Sequence, residues 1–188
     1  MTRLKKANAI CALLSVLFML LHIGSTCYMY ATFQYLPTLK LLTSIPFMAL
    51  VCLHAVLGML AVFLQTDGTA MHLYPQQNAK TILQRVSAAL IFPLLILHIN
   101  TYKLIETAAK TDNALLLAVI IAAQLLFYVI LLTHVVTSFS RAWITLGVLS
   151  SPETQKKIDR IVAVIGILVM IIAAIIIIRT QIIMIAGM

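Results

Sequence analysis

Five long apolar runs, separated by short polar breaks, leave this chain little else to be built from. They cover residues 9–30, 45–64, 82–102, 114–139 and 161–178. A helix crossing bilayer hydrocarbon needs roughly 17–25 predominantly apolar residues, and every run meets that. Within lipid the backbone must satisfy its own hydrogen bonds, so spans this poor in polar partners are helical. The expected architecture is an all-α integral membrane bundle of five transmembrane helices, one membrane domain over 1–188. Composition agrees, with 63% of the 188 residues hydrophobic and 10% charged, against about 45–50% apolar and ~25% charged in soluble chains. A soluble enzyme, a disordered tail and a disulfide scaffold are excluded. No room remains for an extramembrane catalytic domain.

The formal charge of +8 needs no nucleic acid to explain it. Arg3, Lys5 and Lys6, Lys80 and Arg85, and Arg141, Lys156, Lys157 and Arg160 fall on one side of the predicted spans. Lys40, Lys103, Lys110 and Arg179 fall on the other. The excess of basic residues on cytoplasmic ends predicts an N-terminus in the cytoplasm and a C-terminus outside. The first run is too long for a signal-peptide core of about 7–15 residues, and no small-x-small cleavage site interrupts it. It is read as a retained helix. Cys11, Cys27 and Cys52 lie in apolar runs without CxxC spacing and are expected to be small buried hydrophobes. Ile175 to Ile178 is unbroken, so the fifth helix is expected to face lipid on most sides, with a short apolar tail beyond Arg179. The polar stretch 150–157 reads as the longest cytoplasmic connector, either solvated or docking a partner.

The chemistry lies in the histidines. His22, His54, His98 and His134 place one histidine in each of the first four spans and none in the fifth. An ionisable group inside a membrane is costly unless it is partnered, and marks a functional site by default. Depth decides which ones can meet. His22 and His98 each lie 13 residues from the inner boundary, about 20 Å in at ~1.5 Å per residue. His54 and His134 lie 11 and 7 residues from it, or roughly 16 and 10 Å. Two pairs at two levels result. Two imidazoles on opposite sides of a flat ring are what bis-histidine haem ligation requires, and such iron carries electrons with no open position for oxygen. Gly58, one turn below His54, and Gly24 and Ser25 after His22 would allow close approach of a macrocycle. Ser87, Ile91 and Leu94 share a helical face with His98, and Pro93 is expected to kink that helix. Hydrogen-bonding histidines without a cofactor remain the plain alternative. A metal cluster is disfavoured, because no carboxylate lies at these depths and the two levels are too far apart for one ion. His72, beside Tyr74 and Pro75 in the polar second loop, is expected to be solvated.

The order of these motifs resembles the five-helix, two-haem cytochrome b subunit of succinate:quinone oxidoreductases and fumarate reductases. The resemblance covers most of the chain. Its strongest segments are Leu83-Gln-Arg-Val-Ser87 running on to His98, and His54-Ala-Val-Leu-Gly58. His134 through Ile144-Thr-Leu-Gly-Val148 and Ser151-Pro-Glu-Thr-Gln155 completes it. It implies two haems b, His22 and His98 holding the distal, low-potential one and His54 and His134 the proximal, high-potential one. It also implies a flavoprotein subunit and an iron–sulfur subunit on the cytoplasmic face of a prokaryotic plasma membrane. This chain would be their anchor and non-catalytic electron-transfer subunit, passing electrons to or from menaquinone or another quinone. Whether such a complex dimerises is left open. Arg85 and Arg141 are candidate haem-propionate or quinone contacts, with plain positive-inside anchoring as the alternative. Trp143 is expected to be an interfacial anchor.

This sequence departs from the family at named places. Residues 1–64 contain no Asp or Glu, where some relatives carry an acid near the outer end of helix 2. Thr137-Ser138 replaces a frequent Asn-Gly, and Ala88 replaces a glycine. From other classes, a haem-free quinone-binding anchor and a small helical-bundle transporter stay in view, although no acid-lined or discontinuous helix supports the last.

Overall fold

The computed structural model describes residues 3–65 and 75–186, and the side chains of 3–64 and 79–183. The chain is all-α. Five helices follow in order: α1 (Arg3–Thr32), α2 (Pro37–Gln65), α3 (Pro75–Lys110), α4 (Ala114–Leu146) and α5 (Pro152–Ala186). Each is long and apolar enough to cross a membrane. At 29 to 36 residues they reach about 44–54 Å, well beyond the roughly 30 Å of hydrocarbon. This explains why each exceeds its apolar run: polar flanks continue the same helix into the interface.

The ends are set by local chemistry. Pro37, Pro75 and Pro152 each open a helix, where the missing N–H costs nothing and the fixed φ is already helical. Asn113 caps α4 by accepting from the Leu116 N–H at 2.9 Å. Gly147 ends α4 at φ 82°, with the Gly147 and Val148 N–H groups donating back to Ile144 and Trp143 carbonyls. That left-handed position is the one glycine fits best. Residues 152–157 of the expected 150–157 connector are instead the first turns of α5, so the α4–α5 link is only 147–151. At the other end α5 runs through Arg179 to Ala186 rather than stopping before a tail. Pro46 and Pro93 both sit within helices that continue past them.

Helix pairing positions the site. α1 packs on α2 and α3 on α4; α1 also packs on α4, and α5 rests against α4, α1 and α3. Among the described residues, α2 meets no helix but α1 at backbone distance. The main core cluster joins Ile91 of α3, Phe127 and Tyr128 of α4, and Met170, Ala173 and Ile177 of α5. The fifth helix therefore buries one stripe and exposes Ile171, Ile172, Ile175 and Ile182. A Cβ added at Gly166 would run into Leu132 of α4, so this glycine lets the two helices close. Cys11 and Cys27 are half-buried, Cys27 against the main core cluster, and Cys52 is exposed, so the expectation of three buried thiols fails at Cys52 and holds only in part at the other two.

Candidate functional site

The inner histidines come together. The His54 ring on α2 and the His134 ring on α4 have centroids 6.2 Å apart and planes inclined by 63°. Among the described residues no backbone contact joins these two helices, so the side chains reach across a gap. Their outer nitrogens are fixed by the neighbouring helices. The His54 Nδ1–H donates to the Asn8 carbonyl at 3.4 Å. The His134 Nδ1–H donates to the Gln84 carbonyl at 3.1 Å. A carbonyl can only accept, so each Nδ1 carries the proton and each Nε2 keeps its lone pair. That is how metal-ligating histidines are held: the second nitrogen donates to a carbonyl, which fixes tautomer and ring orientation.

A second shell surrounds His134. Ser87 is 1% exposed, and its hydroxyl donates to the Gln84 carbonyl at 3.0 Å. Its oxygen lies 3.3 Å from His134 Nδ1. Ser87 therefore serves the inner pair, although its helical face suggested a role beside His98. Ser138 donates to the His134 carbonyl. Arg141, two turns beyond His134 and half-buried, donates to Gln84 Oε1 at 2.7 Å and to Thr81 Oγ1 at 3.2 Å. Its guanidinium thus has neutral partners and no carboxylate bound to it. Arg85 is exposed, without a hydrogen bond or ion pair among the described residues, and lines no part of the cavity.

His54 and His134 both line a cavity of about 120 Å³, partly open to the exterior and walled by α1 to α4 alone. Its wall is apolar except for the two histidines, Ser15 and Ser138. Gly58 is not part of that wall. A Cβ there would meet only the Asn8 side chain, at 3.9 Å, and one at Gly24 would meet nothing within 4 Å. Neither glycine is required by packing.

The outer histidines are arranged differently. His22 stacks on Phe47 at 5.9 Å and His98 on Phe127 at 4.9 Å. They make no ring contact with each other, and the Nδ1 of each is buried without a protein partner. Phe47 and Phe127 line the same cavity as the inner pair, so it reaches the level of the outer pair without opening between them. Ser25, after His22, ties α1 to α2 through Thr43 at 3.0 Å. Trp143 lies edge-on to Phe139 at 6.4 Å. His72 lies outside the described residues. No group of three His, Cys, Asp or Glu able to hold a metal ion is found among the described residues.

Residues that the histidine pattern did not single out complete the site: Asn8 and Gln84, through their carbonyls. Gln124 and Gln181 are further buried amides in the bundle. Gln124 had a readable signal, an isolated glutamine within an apolar run, which in a membrane helix asks for a partner. Compared with known proteins, the chain matches no family model, no curated protein and no solved structure.

Proposed function

We propose that this chain is a membrane-embedded cytochrome b subunit that carries electrons between an iron–sulfur subunit and a quinone. The observation that carries the reading is the His54–His134 pair. With metal–imidazole bonds of about 2.0–2.1 Å and a ring radius added on each side, two axial imidazoles on one metal place their centroids roughly 6 Å apart. The observed 6.2 Å has that spacing. Both Nε2 atoms are free to ligate, and the surrounding wall is apolar. The cavity is smaller than a macrocycle needs: about 150 Å³ accepts a benzene-sized guest. The cavity is partly open, and among the described residues its α2 wall packs on α1 alone at backbone distance.

Haem iron held by two imidazoles supplies one-electron transfer, with its coordination filled. The chain's own residues hold and insulate it. Asn8 and Gln84 orient the imidazoles, Phe47, Leu95 and Phe127 keep water out, and Arg141 offers charge at the inner end. His22 and His98, whose Nδ1 atoms are buried without a protein partner, are the residues that would hold a second haem. The wider reading is an anchor subunit of a succinate dehydrogenase or fumarate reductase in a prokaryotic plasma membrane. Its N-terminus is cytoplasmic, its C-terminus outside, and its flavoprotein and iron–sulfur partners sit on the cytoplasmic face. It is supported by the four histidines, one in each of the first four helices.

A pyridine haemochrome assay on the purified protein tests this. About two haems b per chain are expected, and His54→Ala should lose one while keeping the other. Protein that purifies folded and binds no haem in vivo or on reconstitution sinks the proposal. A one-haem version is the second reading, favoured by the stacking of His22 and His98 on phenylalanines instead of on each other. A count of one per chain, lost entirely in His54→Ala, selects it.

A further inference from the structure

The outer half of the bundle holds polar side chains that the histidines do not use. Gln124 on α4 and Gln181 on α5 are each 4% exposed. The Gln124 Nε2–H donates to the Tyr128 hydroxyl oxygen at 2.8 Å. The Gln181 amide lies within hydrogen-bonding reach of the Tyr30 hydroxyl. These pairs belong to one neighbourhood. Tyr30 packs against the cluster containing Tyr128 and Ile177, and Gln181 follows Ile177 by one helical turn. Thr180 adds a bond to the Tyr30 carbonyl at 3.1 Å.

Each pair leaves valences over. The phenol oxygen takes one amide N–H, which leaves the phenolic O–H and the second amide N–H to donate and the amide carbonyl to accept. Both carbonyl oxygens, Gln124 Oε1 and Gln181 Oε1, are buried without a protein partner. Leaving such an acceptor unpaired in low dielectric is costly, so a guest that donates to both is called for.

We propose that a buried water molecule sits between the Tyr30–Gln181 and Tyr128–Gln124 pairs and bridges α5 to α1 and α4. Two buried, unpaired carbonyl acceptors in one neighbourhood, with phenolic and amide donors beside them, suit the two donors and two acceptors of water, and buried water typically makes about three such bonds. A quinone carbonyl only accepts, and would leave both glutamine oxygens unpaired. A bare metal ion finds no ligand triad among the described residues. The inference is independent of haem content.

The direct test is a structure of the purified protein in lipid nanodiscs, at a resolution that shows ordered solvent. A discrete density within hydrogen-bonding distance of Gln124 Oε1, Gln181 Oε1 and at least one of the two hydroxyls is expected. Dry contact between the pairs, or an extended flat density such as a quinone ring, overturns the proposal. A double-mutant cycle on the thermal midpoint reads the same bridge in solution. Gln124→Leu and Gln181→Leu should each lower the midpoint, and the double variant should fall no further than the worse single one. Additive losses, or a rise in the midpoint when either unpaired amide is removed, overturn it as well.

Discussion

Gln84 acts twice from one position. Its carbonyl receives the His134 Nδ1–H and the Ser87 hydroxyl, and its side chain holds Arg141. The two functions separate by mutation. Gln84→Leu keeps the carbonyl but strips the guanidinium of its shortest bond. It should cost about 1.5 kcal/mol, the low end for a bond to a charged group because Arg141 is half exposed. Denaturant unfolding in detergent measures it, and an unchanged midpoint would show the bond idle. Ser87→Ala acts instead on the imidazole. Losing a group that orients a metal-bound histidine typically weakens binding about 10–100-fold, so haem titration into the stripped variant should show a drop of that order at one site only. Equal loss at both sites, or none, would detach Ser87 from His134. At this scale the sequence was half legible. A histidine in an apolar run announces itself, and the four stood out. The groups that orient the inner pair are main-chain carbonyls of Asn8 and Gln84, which no residue letter encodes.

Among the helices, α5 shows what holds an element that brings no histidine. Its inner end is pinned by Lys80–Asp159 at 2.7 Å, its outer end by Thr180 on the Tyr30 carbonyl. Between them the backbone closes on α4 at Gly166. Gly166→Ala should push the Leu132 methyl aside and cost about 1 kcal/mol, the low end for overpacking because a side-chain tip can rotate away. Leu132→Ala should then be less damaging in the Gly166→Ala background than alone. Equal damage in both backgrounds would mean the two positions do not touch. The helices themselves were readable, since apolar length dictates them. Their ends were not, because the hydropathy signal stops at the hydrocarbon while backbone hydrogen bonding continues, as residues 152–160 show. The three opening prolines were the clue available.

On the scale of the molecule, four-helix enclosure of the cavity and exclusion of α5 follow the distribution of histidines along the chain. Orientation rests on basic residues. Fusion of a fluorescent protein that folds only in the cytoplasm, placed after Met188, should stay dark, and an alkaline phosphatase fusion there should be active. The reverse pattern inverts the topology. The stacking of His22 and His98 on Phe47 and Phe127 was beyond sequence, because depth along a helix gives level and not azimuth.

The solitary contact of α2 with α1 also bears on how such a protein is made. Among the described residues two hairpins, α1–α2 and α3–α4, meet along the α1–α4 seam alone. Each hairpin can leave the insertion machinery as a self-supporting unit, and the seam can form while the α2 side is still ajar. A rigid disc larger than any gap in a finished bundle would have no route in. The wall with the fewest neighbours is one that carries a histidine, so under the proposed function its closure and the capture of a haem would be the same event in biogenesis.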